Sequence, residues 1–197
     1  MIARLKYILE LAICSFLTRF ILLLNTHHIP KHVNSVGGVP IFRIKGKFQI
    51  DQQSKVTFVN NASWSTLGVS RRCKLTVYEK AELVLKGRLG ISNTVIVATK
   101  RIEIGDNVMI GGGVTIIDSD FHSMDYHDWF TDNDAREMHS SPVIIGDNVF
   151  IGMNTIILKG VHIGDGAIIG AGSVVSKNIP SNEIWCGNPA KFVKRRK

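Results

Sequence analysis

Cysteine is scarce in this 197-residue chain: Cys14, Cys73 and Cys186 are the only three. The number is odd and the spacings match no metal or redox pair. A reducing compartment follows. Aromatic residues make up 8% and are not interleaved with the basic ones, which argues against a nucleic-acid surface. Histidine is missing from the whole of residues 75–117. A long uncharged apolar run is missing too. Residues 2–24 are strongly apolar, but Lys6, Glu10 and Arg19 interrupt them, so no uncharged stretch approaches the roughly 18 residues of a spanning helix. Glu10 and Arg19 also break any signal-peptide apolar region, and no small-residue cleavage site is clear.

What is present is a period. Ile145, Ile151, Ile157, Ile163, Ile169 and Val175 recur every six residues, and Ile104, Ile110 and Ile116 do so earlier. Small or apolar residues fill the place four further on: Val108, Val114, Val149, Thr155, Val161, Ala167, Ser173 and Ile179. A unit this short cannot bury its own apolar face, so neighbours must stack into one continuous core. Six fits neither a helical stripe nor a single alternating strand. It fits a triangular coil with one short strand and one turn per side. Gly105, Gly111, Gly146, Gly152, Gly164 and Gly170 follow the apolar residue, suiting corners that need backbone freedom. Asp106-Asn107, Asp147-Asn148 and Asp165-Gly166 are turn chemistry at the same corners.

The chain is long enough for one domain with a short appendage. Residues 1–24 read as an amphipathic helix, with Ile2, Leu5, Leu9, Ala12, Ile13, Phe16, Phe20 and Leu23 on one face. That face is expected to pack on the body or a neighbouring subunit; the sharper reading lays it in a membrane interface, helped by Arg4, Lys6 and Arg19. Residues 25–50 read as a linker and first strands, 51–188 as the coil, and 189–197 as a basic tail. Val56-Thr57-Phe58-Val59, Leu75-Thr76-Val77 and Leu83-Val84-Leu85 read as worn early coils. The net charge of +8 is carried largely by the two termini, including Lys191, Lys194, Arg195, Arg196 and Lys197. The repeat breaks at about 121–142, too long for a corner. A loop of that length on a regular scaffold is more often functional than not.

The segment from Pro142 to Gly152, the segment from Ile169 to Pro180 and Gly187-Asn188-Pro189-Ala190-Lys191 together resemble the hexapeptide-repeat acyltransferases. The similarity is greatest to the sugar O-acetyltransferases of the galactoside and maltose group and their polysaccharide-modifying relatives. It covers about residues 102–195. It implies an all-β fold, a left-handed parallel β-helix, with the apolar helix and the loop as additions. It implies acetyl transfer from acetyl-CoA to a hydroxyl of a sugar or surface-polysaccharide precursor, with no metal and no acyl-enzyme. A homotrimer in the cytoplasm is implied, with peripheral membrane contact through residues 1–24 as an addition of this chain.

By that resemblance the catalytic base is His122, in Asp118-Ser119-Asp120-Phe121-His122. Imidazole has the right intrinsic pKa to take a hydroxyl proton and return it to a thiolate. A neighbouring carboxylate or backbone carbonyl would hold its other nitrogen. Asp118, Asp120 and Asp125 are candidates, and sequence does not choose among them. Gly152, Met153, Ala171, Ser176, Lys177, Lys191 and Lys194 fall at cofactor positions. Asp125, Met138 and Phe150 fall on the acceptor side. Phe150 stands where Trp is common, and the first hundred residues differ from the small sugar enzymes, which leaves the acceptor open. An N-acetyltransferase and a non-catalytic scaffold are the alternatives. A carbonic anhydrase on the same coil would need an upstream histidine, and residues 75–117 have none.

Overall fold

In the computed structural model the chain is described over residues 2–26, 30, 32–61, 65 and 68–196. The expectations placed on the side chains of Ile2, Arg4 and Lys6, and on Lys197, lie outside the described residues. Helix α1 (Ile2–Thr26) comes first. Six coils follow among the described residues. The first is β1 (His32–Val36), β2 (Ile41–Ile44) and β3 (Lys47–Ile50); the second is β4 (Lys55–Val59), β5 (Lys74–Val77) and β6 (Glu82–Leu85). The third is β7 (Arg88–Ser92), β8 (Val95–Ala98) and β9 (Arg101–Ile104). The fourth is β10 (Val108–Ile110), β11 (Thr115–Ile117) and, after an excursion carrying helix α2 (Asp132–Arg136), β12 (Val143–Ile145). The fifth is β13 (Phe150–Ile151), β14 (Ile156–Ile157) and β15 (His162–Ile163). The sixth is β16 (Ile168–Ile169) and β17 (Val174–Val175), closed by a bridge from Ile163 to Ile179. The hairpin β18 (Glu183–Cys186) and β19 (Lys191–Arg195) ends the chain.

Every third strand pairs in parallel, giving three sheets that form the sides of a prism. The register shows why the period is six. Ile145 pairs with Ile163, Ile151 with Ile169 and Ile157 with Val175, so one turn takes 18 residues, three hexads. Each isoleucine therefore lies directly over its equivalent. Those of the repeat, from Ile104 to Val175, are at most 2% exposed. Each buried side chain contributes about 1.5–3 kcal/mol. Asn107, Asn148 and Asn182 take the left-handed turn conformation, and Asn107 donates to Asn148 at 2.7 Å, so the turn residues also stack.

The corner glycines serve a different need from the one expected. Gly105, Gly146 and Gly152 have no positive φ. A side chain on any of them would strike the next coil: a Cβ on Gly152 would sit 2.8 Å from Ala171 Cα. They are glycines because backbones approach closely there; the left-handed positions are those of the asparagines and of Gly113, Gly166 and Gly172.

The structure corrects the boundaries at both ends. Residues 25–50 hold the end of α1 and a complete first coil, so the prism begins at His32 rather than 51. The early period is obscured because extra chain, residues 60–73, is inserted between β4 and β5. The basic tail forms a strand, β19, antiparallel to β18.

The orientation of α1 is also the reverse of the expected packing on the body. Leu22 and Thr18 are buried against the first coil, and Ser35 N donates to Ser15 Oγ at 2.9 Å. The expected inner face is outside: Leu5, Leu9, Ile13, Phe16 and Phe20 are each at least half exposed. Tyr7–Thr26, with only Glu10 and Arg19 charged, is long and apolar enough to cross a membrane by length and composition.

Candidate active site

The long excursion leaves the edge between the second and third sheets. Its base is clipped shut: Ser119 bridges Ser140, Asp120 N donates to His139 O at 3.1 Å, and Ser141 N donates to Asp118 O at 2.9 Å. Beyond the clip, Phe121 holds a φ of 66°, a strained value for a bulky residue. Such strain concentrates at working sites and costs on the order of 1–3 kcal/mol. His122 follows, with 69% of its side chain exposed.

Its orienting partner is Asp134, none of the three expected carboxylates. His122 Nδ1 lies 2.7 Å from Asp134 Oδ2, while Asp134 Oδ1 accepts from Ser123 N at 2.7 Å. The His122 bond and then the Ser123 N–H hold the Asp134 carboxyl below the usual carboxylate range. An ionised carboxylate can only accept, so Nδ1 carries the hydrogen, and in the neutral ring Nε2 keeps its lone pair. Asp134 is presented by α2, whose Thr131 cap accepts from Asn133 N. Buried Ser123 is the hub of this loop. Its hydroxyl donates to Asp128 at 2.7 Å, and its carbonyl accepts from Trp129 Nε1 at 2.9 Å.

The three expected carboxylates are engaged elsewhere. Asp118 is fully buried and accepts from Thr99 N, Thr99 Oγ1, Lys100 N and Arg101 N at 2.7–2.8 Å, which closes the corner of the preceding coil. Asp120 pairs with Lys159 at 2.6 Å. Asp125 bonds His127, which holds its carboxyl low. Met138 is half-buried on the returning arm of the loop. Phe150 lies on the first sheet between Met109 and Ile168, on the side opposite the edge that bears His122.

The expected cofactor residues fall on two edges of one prism. Gly152, Met153 and Ala171 stack at the corner between the first and second sheets; Gly152 is buried there, so a ligand could meet only its neighbours. Ser176 and Lys177 lie exposed after β17, on the same edge as the loop. Lys191 and Lys194 are exposed on β19, cations free to meet phosphates. A single chain does not bring these groups together. Among the described residues no three His, Cys, Asp or Glu side chains converge as a metal site.

A three-sided coil of stacked hexads, with a carboxylate-held imidazole on a loop thrown from one edge, defines a left-handed parallel β-helix of the hexapeptide-repeat class. A family model for the hexapeptide repeat of succinyl-transferase matches residues 142–177. The chain is 32% identical over 135 residues to the provisionally named lipopolysaccharide biosynthesis O-acetyl transferase WbbJ of Escherichia coli, covering 66% of this chain and 68% of that one. It belongs to the hexapeptide-repeat acyltransferase family. Galactoside O-acetyltransferase of E. coli is 40% identical over 102 residues, 52% of this chain and 48% of that protein, so the chain spans about half of it. AntD, an N-acyltransferase from Bacillus cereus solved with dTDP and 3-hydroxybutyryl-CoA, shares the fold with a TM-score of 0.67 at 20% identity, over 90% of this chain and 87% of that one.

Proposed function

We propose that the protein transfers an acetyl group from acetyl-CoA to a hydroxyl of a sugar or surface-polysaccharide precursor, with His122 as general base. The observation that carries this reading is the geometry of the pair: Nδ1 is held by Asp134, and Nε2 has no protein partner among the described residues. Nε2 takes the hydroxyl proton as the oxygen attacks the thioester carbonyl, then returns it to the departing thiolate. A backbone N–H of a neighbouring coil stabilises the oxyanion. No acyl-enzyme forms, because the acceptor attacks directly. The similarity to WbbJ and galactoside O-acetyltransferase supports a sugar hydroxyl.

The active unit is a homotrimer in the cytoplasm, at the inner face of the membrane. His122 stands on an exposed edge, and its second wall comes from an adjacent subunit, which also reunites the two groups of cofactor residues. Lys191 and Lys194 meet the phosphates of acetyl-CoA. Met138 and, from the neighbour, Phe150 border the acceptor. An N-acyl acceptor is the second reading, favoured by AntD and by a stretch of 56 residues 48% identical to a Staphylococcus aureus tetrahydropyridine-dicarboxylate N-acetyltransferase. Thiol release from acetyl-CoA, measured against a panel of sugars, amino sugars and lipid-linked glycans, tests both. The expected result is release with a hydroxyl acceptor, lost about 10²- to 10⁴-fold in His122→Ala. Turnover unchanged in that variant, or release with amines alone, overturns the reading.

A further inference from the structure

We propose that α1 is an in-plane anchor that seats the basic end of the prism on an anionic lipid bilayer. The argument starts from which side of the helix faces the protein. A surface helix in water turns its apolar stripe inward and its polar side outward. Here Ser15, Thr18 and Asn25 are turned to the first coil together with Leu22, while Leu9, Ile13, Phe16, Leu17, Phe20 and Leu24 are 43–69% exposed. At about 100° per residue those six side chains span an arc of about 100°, and exposed Leu5, Ile8 and Ala12 widen the face to roughly half the circumference. Only 11% of the Tyr7–Thr26 segment is buried, and its two charges, Arg19 and Glu10, lie one near each margin of this exposed half-cylinder.

The width and the flanks of this face fit lipid. A seam between two copies of a helix is narrower. An in-plane helix instead buries a broad apolar face about 5–10 Å into the headgroup boundary and is held by basic residues around it. Charge is distributed accordingly. Eight basic and two acidic residues precede Val56, so six of the eight net positive charges lie between the start of α1 and the entry to the second coil. Arg43, Lys45 and Lys47 of the first coil and Lys55 at the start of the second are exposed. The opposite two-thirds of the chain is nearly neutral. Each basic residue held near an anionic surface contributes about 1 kcal/mol.

The same contacts exclude a span. From Ser15 to Asn25 the helix lies along β1 and β3, with Thr18 and Leu22 at 0% exposure. Crossing the bilayer would carry the polar edge of β1 into hydrocarbon, where unpaired backbone groups are not tolerated.

The proposal does not depend on the reading of the active site, and its test needs no activity. The full chain is floated with vesicles of phosphatidylglycerol and phosphatidylethanolamine, and with pure phosphatidylcholine. Expected are flotation with the anionic vesicles, weakening with salt, and release by alkaline carbonate. Phe16→Glu/Phe20→Glu alters only exposed positions. It should lower the vesicle-bound to free ratio more than about tenfold, with the thermal melt retained. The salt and lipid dependence of the parent chain stands as a second readout should the variant fold poorly. Absence from every vesicle fraction overturns the proposal. So does equal flotation of the variant, or resistance to carbonate, which would mean a span. Dissociation of an oligomer by the variant without vesicle binding would assign the face to a second copy and overturn it as well.

Discussion

Asp134 can be perturbed in two ways that separate holding the imidazole from merely standing beside it. Its two oxygens accept from two donors, His122 Nδ1 and Ser123 N, each at 2.7 Å. Asn has one acceptor oxygen. In Asp134→Asn that oxygen stays with the fixed Ser123 N–H, which turns the amide NH₂ toward the ring. Nδ1 must then accept, and the hydrogen moves to Nε2, the nitrogen proposed as the base. Asp134→Ala instead leaves Nδ1 to water, which can donate or accept, so the productive tautomer survives in part. The larger truncation should therefore do less harm. We expect kcat to fall about tenfold in Asp134→Ala and about 10²- to 10⁴-fold in Asp134→Asn, the range known when a base is held in the wrong tautomer. KM for acetyl-CoA should stay within about twofold. The assay is thiol release under saturating acceptor, repeated across pH. The carboxyl is held low in the native chain, so its contribution to the loop is complete above the unfolded value of 3.8 and is lost only as pH falls through the lower folded value. If Asn were as active as Ala, Asp134 would not orient the base.

Two further outcomes follow from buried groups. Asp118→Ala orphans three backbone N–H donors of the preceding corner and should cost about 3 kcal/mol, lowering the melting temperature by about 6–12 °C. Its pH–rate profile should be unchanged; a normal melt with a shifted profile would restore Asp118 as a working carboxylate. Burial pushes the Cys73 thiol up to about 11 from 9.0, so at pH 8 a thiol reagent should reach exposed Cys186 at once and Cys73 only on unfolding. The protonated Cys73 favours the fold up to pH 9, and that share is lost between pH 9 and 11. Prompt labelling of Cys73 in the native protein would show that the second coil opens locally.

What the sequence made legible was whatever repeats. Ile151, Ile157 and Ile163 occupy the three sides of the fifth coil, and identical spacing means identical environment, so their burial could be read before any strand was seen. The glycine corners were visible as positions but not as causes. Close approach is a property of two coils 18 residues apart, and Gly152 meets Ala171 only once they stack. The early coils hid because a period is a count, and residues 60–73 spoil the count without altering β4 or β5. His122 was found by its place in a motif. Asp134 was not, because the loop folds back on itself, and proximity in sequence favoured Asp118, Asp120 and Asp125. One signal was available: Thr131-Asp132-Asn133-Asp134 is a helix start, and a short helix there returns its third residue toward the chain that entered the loop.

The helix α1 shows the limit of periodicity from the other side. The pattern located one apolar face correctly but carried no sign, because the rule that turns apolar faces inward presumes water outside. Ser15, Thr18 and Asn25 lie on the other face at helical spacing, and small or polar residues of that kind permit close packing against a strand edge such as β1. A face that packs needs fit, and a face that meets lipid needs only apolar area. The bulky apolar side of α1, with Phe16, Phe20 and Leu24, meets the second requirement and the side with Ser15 and Thr18 the first. Read with both requirements, the same residues give the observed orientation, and the basic first coil then lies where an anionic headgroup layer would hold it.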